Sequence, residues 1–456
     1  MDENKLNEQQ NNEENSSKNK KPKEIVSEIK QRYIENKEQR KEETKLVKSE
    51  TEKVLDESLQ SIKQASKTTD INDLEIETNK TVEPPTVIEN KKGGKKKFIF
   101  YAFFITICVS CLVFTAFRDF QNADKQSLSF GELFSILGAH WYYVIFALLS
   151  ALLLYFFDSF KISLMLKTFT GKWNYKLSLH TSVLTKYYDN ITPFASGGQP
   201  FAIYSLNKNG VKGGVAAAIP VVAIFVMQVI FVIMSIGAVI CDHFAVFSSH
   251  QILSPATTVM AIIGIVMNAA VPVAVIIFSS TPKIGVGIVK FFLLLGHKMH
   301  LVKEPHVILA KTVKAINNYI TCMKAVFSKH KLMLLGEFVA SLFLQIANCS
   351  IIFFTLKAFG YDDPNVSFIM EWITLIVWSM ILYCVVSFIP TPGNSGATEV
   401  SFSEMFSFLL VQTGLCFSAT IMWRLLCFYM VIIIGAITVN VTRMRKRKNK
   451  KLSIQI

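Results

Sequence analysis

The chain has 456 residues, of which 51% are hydrophobic and 18% are charged, and its formal net charge is +14. The charges are unevenly distributed, because residues 98–456 contain 27 basic and 13 acidic residues whereas residues 1–97 contain 21 of each. Soluble globular proteins carry about 25% charged residues, so this composition excludes a soluble enzyme over residues 98–456 and predicts a membrane protein with a polar tail.

The N-terminal 97 residues are rich in Lys, Glu, Asn, Gln and Ser and are too polar to bury a core. Apolar residues such as Ile25, Ile29 and Tyr33 recur at near-helical spacing, but no heptad is sustained. We therefore expect a cytoplasmic tail over residues 1–97 that is largely disordered or partly helical. Whether this tail binds a cytoplasmic partner is left open.

Seven apolar runs approach the roughly 20 residues that a helix needs to cross the bilayer core. The semi-polar segment Thr398–Gly414 is predicted to be an eighth crossing, because two cytoplasmic termini require an even number. We expect an all-α polytopic integral membrane protein with about eight transmembrane helices over residues 98–442 and a basic cytoplasmic tail over residues 443–456. The seven runs are Phe98–Phe117, Trp141–Phe157, Val215–Ile240, Val259–Phe278, Phe338–Leu356, Trp372–Ile389 and Cys416–Val441.

Basic residues in the connecting segments predict the orientation of the chain. Five lysines lie between positions 91 and 97, and the C-terminal tail is also basic, whereas Cys241–Ser254 contains no Lys or Arg. Both termini are therefore expected in the cytoplasm. Basic residues beside apolar runs are interpreted first as signals that orient the chain in the membrane and as contacts for anionic lipids. No nucleic-acid partner is therefore expected.

Two segments rich in Pro and Gly interrupt the apolar sequence, at residues 192–200 and residues 388–399. Pro removes backbone donors and Gly loosens a helix, and unpaired backbone groups persist in a membrane only inside protein or beside a wet cavity. One break in each half of a polytopic protein indicates a transport site built from discontinuous or re-entrant helices. Helix N-termini there would suit a lipid phosphate. The alternative is that both segments are ordinary loops at the membrane surface.

The two segments closely resemble the paired motifs of the lysylphosphatidylglycerol synthase transmembrane region, a family of flippase-like, or MprF-type, membrane domains. The resemblance covers about residues 98–442 and implies an all-helical domain that moves a phospholipid between leaflets. In full-length members this lipid is an aminoacylated phosphatidylglycerol. The matching residues are Pro193, Ser196, Gly197, Gly198, Gln199 and Pro200, then Pro390, Thr391, Pro392, Gly393, Gly396 and Glu399.

Full-length members of this family make their lipid in a soluble synthase domain that follows the membrane region. The chain ends 15 residues after Val441, so we expect no such domain, and transport is favoured over enzymatic activity. The alternatives are a phosphatidylglycerol lysyltransferase and a non-transporting membrane scaffold. The expected partner is a membrane phospholipid, preferably anionic.

Arg424 lies inside the last apolar run, where an ionised side chain is expensive and needs a partner. It either pairs with Glu399 or Glu404 or binds a lipid phosphate. Glu337 and Glu371 are interpreted as boundary residues. Asp189 and His180 are interpreted as residues of a surface helix, with proton coupling as the alternative. No catalytic residue, metal ligand or cofactor is expected, and the predicted lipid-binding residues are Pro193, Ser196, Gly197, Gly198, Gln199, Pro200, Pro390, Pro392, Gly393, Ser395, Gly396, Glu399 and Arg424.

Overall fold

A computed structural model describes residues 130–192, 195–248, 250–280, 323–324, 326–387, 389, 391–410 and 415–452, together with positions 49, 53, 286–287, 290–291 and 293–294. The predicted first span, Phe98–Phe117, and nearly all of the polar tail lie outside these residues. The elements discussed below belong to one compact unit, residues 68–281 and 318–456. The other unit, residues 1–67 and 282–317, is described at isolated positions.

All regular elements of this unit, over the residues that the structure describes, are helices. They are α1 (Phe130–Ala139), α2 (Trp141–Thr170), α3 (Tyr175–Ile191), α4 (Gly198–Lys208), α5 (Gly213–His243), α6 (Pro255–Ser280), α7 (Lys331–Ala358), α8 (Phe368–Val386), α9 (Ala397–Phe406), α10 (Cys416–Arg424) and α11 (Met430–Leu452). Short 3-10 turns occupy Pro392–Asn394 and Ser407–Leu410, and a π-helical turn, Leu425–Tyr429, joins α10 to α11.

The described residues contain six helices that are long and apolar enough to cross a membrane. Six of the seven predicted runs coincide with these helices, so the all-α membrane architecture is confirmed. The count of eight is not confirmed: in place of the predicted crossing Thr398–Gly414, helix α9 has ten residues and then tightens into the 3-10 turn. A helix of that length is only about 15 Å long. The six are Trp141–Thr170, Gly213–His243, Pro255–Ile277, Lys331–Ala358, Phe368–Val386 and Cys416–Thr442.

Helix α2 shows how the apolar sequence is divided between the core and the lipid-facing side. Ala147 and Ala151 are buried, whereas Ile145, Leu148 and Leu152 are exposed on the opposite face. A soluble surface does not present such a continuous row of large apolar side chains, so this face is suited to lipid. The small buried side chains let α2 pack closely against α7.

Helices α2 and α7 are antiparallel along their whole length. Their aromatic contacts show this, since Phe146 meets Phe354 near one end and Phe157 meets Phe343 further along, with ring centroids 5.4 and 5.7 Å apart. Helix α2 ends at Gly171, whose φ of +70° suits a left-handed helix terminus that glycine adopts without strain. This pair of helices carries much of the contact between the two halves of the sequence.

Each half of this unit contains an interrupted pair of helices. We name residues 192–197, between α3 and α4, the first break and residues 387–396, between α8 and α9, the second break. Helices α3 and α4 form an antiparallel hairpin, because Thr181 is hydrogen-bonded to Ser205 and Tyr188 stacks on Phe201 nearer the turn. Each break therefore lies where the chain reverses or redirects within the helical bundle.

Candidate functional site

In the first break, the N-terminus of α4 is capped by a carboxylate from α3. The backbone N–H of Gly198 donates to Asp189 Oδ1 at 2.8 Å, and the N–H of Gly197 donates to Thr192 Oγ1 at 2.9 Å. A Cβ atom on Gly198 would overlap the Asp189 carboxyl group, so only glycine allows this close approach.

The other predicted residues of the first break differ in their accessibility. Ser196 and Pro200 are exposed, and Gln199 is partly buried. Pro193 lies outside the described residues. Among the predicted residues of the first break, Gly197 and Gly198 are therefore the ones whose contacts indicate a role. They hold the α3–α4 hairpin closed.

The second break is built around backbone conformations that favour glycine. Gly393 and Asn394 have φ values of +58° and +53°, and Gly396 has +96°. A Cβ atom on Gly393 would overlap the ring of Phe428, so this position requires glycine for both conformation and space. Pro390 lies outside the described residues, and Pro392 begins the 3-10 turn.

Arg424 holds the second break through four hydrogen bonds. Its Nε donates to Glu399 Oε1 at 2.8 Å, its two terminal nitrogens donate to the carbonyl oxygen of Gly393 at 3.2 Å, and one of them donates to Ser395 Oγ at 2.6 Å. The other Glu399 oxygen accepts from the N–H of Gly396 at 2.7 Å. Arg424 and Glu399 are both buried. Of the roles predicted for Arg424, the structure therefore has the ion pair with Glu399, within the second break.

This network also gives a reason for the π-helical turn that begins directly after Arg424. The ring of Phe428, inside that turn, lies 4.5 Å from the Arg424 guanidinium carbon and against Gly393. Single π turns inside α-helices often occur at functional sites. The turn thus places a ring that covers the guanidinium group and closes the second break.

Carboxylates occupy the N-terminal ends of the helices that follow both breaks, Asp189 at α4 and Glu399 at α9. Each carboxylate already complements the positive end of its helix dipole. The sequence predicts that these helix ends bind a lipid phosphate. Such a phosphate would have to compete with the carboxylate that is already there. Ligand-binding groups are better sought beside the breaks than at the helix ends themselves.

The two breaks lie near each other in the bundle. Helix α3 contacts the turn Pro392–Asn394 of the second break. It also runs antiparallel to α11, since His180 is hydrogen-bonded to Thr442 and Tyr187 packs on Gly435. The C-terminal end of α3, which leads into the first break, thus points toward the second.

A cavity of about 270 Å³ lies beside the second break. Its lining comes from four of the long apolar helices and from the break itself, and it includes five side-chain amides and no charged residue. Gln228 and Asn348 lie near the middle of α5 and α7. The lining residues are Met227, Gln228, Phe231, Asn268, Gln345, Asn348, Tyr383, Val386, Ser387 and Asn394.

Some of these amides are held by the protein and others are available. Asn268 donates to Ser387 Oγ at 2.9 Å and to the carbonyl oxygen of Gly264 at 2.8 Å. The side chains of Gln228, Asn348 and Asn394 are partly exposed and line the cavity. Side-chain amides both donate and accept hydrogen bonds, so these three groups are suited to binding a polar ligand.

The sequence reasoning missed this cavity. Its polar members are single amides scattered through four apolar runs, and no local motif connects them. The available signal was the presence of Gln228, Asn268, Gln345 and Asn348 inside runs that are otherwise apolar. Polar side chains in such runs usually face the bundle interior, but only the packing shows that they share one cavity.

The interpretation of Glu337 and Glu371 as accessible boundary residues is wrong. Both are buried, and each has a buried lysine from another helix or helix end beside it. Lys161 Nζ lies 3.6 Å from Glu337, and Lys357 Nζ lies 2.5 Å from Glu371. The lysine partners stabilise carboxylates at positions that the sequence places near span ends.

A comparison with protein families agrees with this architecture. The family model described as Lysylphosphatidylglycerol synthase TM region matches residues 99–435. The matched region contains both breaks, Arg424 and every residue that lines the cavity. A search of curated proteins finds no significant match to the chain.

Proposed function

The chain belongs to the lysylphosphatidylglycerol synthase TM region family, and from this premise we propose that it moves a phospholipid between the leaflets of a bacterial cytoplasmic membrane. In this proposal the chain is a multi-pass protein with both termini in the cytoplasm. The two breaks are re-entrant turns inside the membrane. The observation that carries the proposal is the cavity lined by amides beside the second break.

A phospholipid headgroup fits the hydrogen-bonding groups of this cavity. Amide N–H groups of Gln228, Asn348 and Asn394 can donate to phosphate oxygens, and their carbonyl oxygens can accept from headgroup hydroxyl or ammonium groups. The proposed substrate is an anionic phospholipid such as phosphatidylglycerol, or its aminoacylated form. Neutral donors bind a phosphate without trapping it, which suits a site that must release its ligand on the other side.

The relation of the cavity to the second break supports transport rather than static binding. Asn394 is part of the cavity lining and also of the strained turn that Arg424 holds. A movement of this turn therefore changes the cavity. Irregular backbone in a membrane is tolerated where it lines such a cavity, and discontinuous helices are common at transport sites.

The proposal is tested by reconstituting the full chain into vesicles that contain a fluorescent phosphatidylglycerol or phosphatidylethanolamine. A membrane-impermeant reductant added outside quenches only the label in the outer leaflet. The proposal predicts that the protein makes inner-leaflet label accessible, with phosphatidylglycerol moving faster. Quenching that stays at the level of protein-free vesicles for both lipids would overturn it.

Replacing Asn348 with Leu is expected to slow lipid movement while the protein still folds. A neutral hydrogen bond contributes about 0.5–1.5 kcal/mol, so its loss predicts a rate roughly 2- to 10-fold lower. Gln228→Leu should act in the same direction. Rates are measured in the same vesicles, at matched protein content.

The matched control for Asn348→Leu is Val339→Leu. Val339 lies on the same helix, α7, but is 42% exposed on the outer side of the bundle. This control should keep the wild-type rate. Equal rates for Asn348→Leu, Gln228→Leu and the wild type would show that the headgroup does not use the cavity.

A further inference from the structure

A second polar cluster, which the proposed lipid site does not use, runs between three helices from a buried end to a partly exposed end. Helix α2 contributes Asp158 and Lys161, helix α3 contributes Lys186 and Asp189, and helix α7 contributes Glu337. Lys161 Nζ lies 3.6 Å from Glu337 and Lys186 Nζ lies 3.9 Å from Asp158. Lys161 also acts electrostatically on Asp158, and Lys186 acts on Asp189. The five groups therefore form a series of alternating charge from α7 to the first break.

Glu337 is the least satisfied member of this series. Its side chain is fully buried, and neither carboxylate oxygen has a hydrogen-bond partner among the described residues. By contrast, Asp158 accepts from Ser182 at 2.5 Å and Asp189 accepts from the N–H of Gly198. Hydrogen bonds to an ionised carboxylate stabilise the charge, so Glu337 is the carboxylate least stabilised as an anion.

The charged groups that face Glu337 come from α2. They are Lys161 and, further away, Asp158. Helices α5, α8 and α10 also pack against α7. The charged or titratable residues of α5, Cys241, Asp242 and His243, lie at its far end. On α8, Glu371 pairs with Lys357 and the Tyr383 hydroxyl contacts the Asn348 carbonyl, and on α10 Arg424 pairs with Glu399. On α7 itself, Lys331 lies at the first residue, with His330 just before it. Lys161 is thus the one close counter-charge in the part of the chain that the structure describes.

The balance of the cluster favours one bound proton. Three carboxylates and two ammonium groups, all ionised, give the series a net charge of −1. Its buried end is formed by Glu337 and Lys161, whereas the side chains of Asp158 and Lys186 are 21% and 26% exposed. An uncompensated charge at the buried end is costly. Adding one proton to a Glu337 oxygen gives a neutral carboxylic acid and a neutral cluster, and the same O–H bond breaks when the proton returns to water.

We propose that Glu337 is a proton-binding site that couples lipid movement to a proton gradient. This inference rests on the proposed lipid transport. The connection to the lipid site runs through Lys161, Asp158, Lys186 and Asp189 to the N–H of Gly198, which the Asp189 carboxylate caps. When Glu337 loses its proton, its new negative charge attracts Lys161. The electrostatic interaction between Lys161 and Asp158 becomes weaker as a result. The change passes to the hairpin α3–α4, which contacts the second break.

The proton site is tested first by infrared spectroscopy on the purified full chain. The carbonyl stretch of a protonated carboxyl group should be present near neutral pH and should disappear on titration to higher pH. The isosteric variant Glu337→Gln should lack this band. Glu132→Gln removes an exposed carboxyl group on α1 and should keep it. A band that persists unchanged in Glu337→Gln would overturn the assignment.

Coupling is tested in the same vesicles with an imposed pH gradient. The wild type should move lipid faster under a gradient of one sign than without it, and Glu337→Gln should lose this dependence. The double variant Lys161→Met/Glu337→Met, which removes both charges, should also move lipid at a rate independent of the gradient. A gradient dependence in Glu337→Gln equal to that of the wild type would refute coupling.

The two proposals fail in different ways. Wild-type vesicles that move no lipid at any pH would overturn lipid transport and therefore the coupling. The infrared band still decides whether Glu337 binds a proton. If the wild type moves lipid at the same rate with and without the gradient, the proposal of lipid transport is kept and only the proposal of coupling is overturned.

Discussion

Replacing Arg424 with Met is expected to abolish lipid movement and to destabilise the protein by about 3–5 kcal/mol, the usual cost of removing one partner of a buried ion pair. The Glu399 carboxylate would stay buried without its cation, and the carbonyl oxygen of Gly393 and the hydroxyl group of Ser395 would lose their donor. The measurements are the thermal unfolding midpoint in detergent and the lipid movement in vesicles.

The control for Arg424→Met is the double variant Glu399→Met/Arg424→Met. Removing both charges leaves no uncompensated ion in the bundle, so the double variant should unfold at a higher temperature than Arg424→Met alone. The difference between the variants gives the coupling energy of the pair. If Arg424→Met unfolds at the wild-type temperature, the ion pair does not hold the second break.

Replacing Gly393 with Ala is expected to have the second largest effect, because two costs add at one position. A left-handed backbone conformation costs about 1–2 kcal/mol for a residue with a Cβ atom, and overpacking against Phe428 adds roughly 1–3 kcal/mol. Lipid movement should fall with stability, since the turn lines the cavity through Asn394. Unfolding in detergent and transport in vesicles measure the two effects.

Two controls separate the costs at Gly393. Gly210 has φ +86° and open space where a Cβ atom would lie, so Gly210→Ala carries only the conformational cost. Gly393→Ala/Phe428→Leu removes the ring that the Cβ would overlap and should recover part of the loss. Equal effects for Gly393→Ala and Gly210→Ala would mean that the contact with Phe428 does not shape the second break.

The parts of the fold that the sequence predicts correctly are those set by local composition. Six apolar runs coincide with helices because a span needs only length and hydrophobicity. The Arg424–Glu399 pair could also be proposed from sequence, since a buried arginine requires an acid and few are near it. Choosing Glu399 over Glu404 required the packing, which buries the first and exposes the second.

The parts that the sequence did not predict depend on contacts between distant helices. Segment Thr398–Gly414 was expected to cross the membrane because two cytoplasmic termini require an even count, but the helix formed there is short. The cavity joins amides from four helices, and no spacing rule connects Gln228 with Asn348. Glu337 looked like a boundary residue because its partner, Lys161, lies 176 positions earlier in the chain.

The measurement that tests lipid transport through the cavity most directly is photo-cross-linking of a transported lipid, followed by peptide mapping. A phosphatidylglycerol that carries a photoreactive group on its headgroup is reconstituted with the full chain and illuminated during transport. We expect adducts on peptides that contain Gln228, Asn348 or Asn394, with fewer adducts in Asn348→Leu. Adducts confined to peptides outside the cavity lining, while lipid movement proceeds, would contradict this role of the cavity.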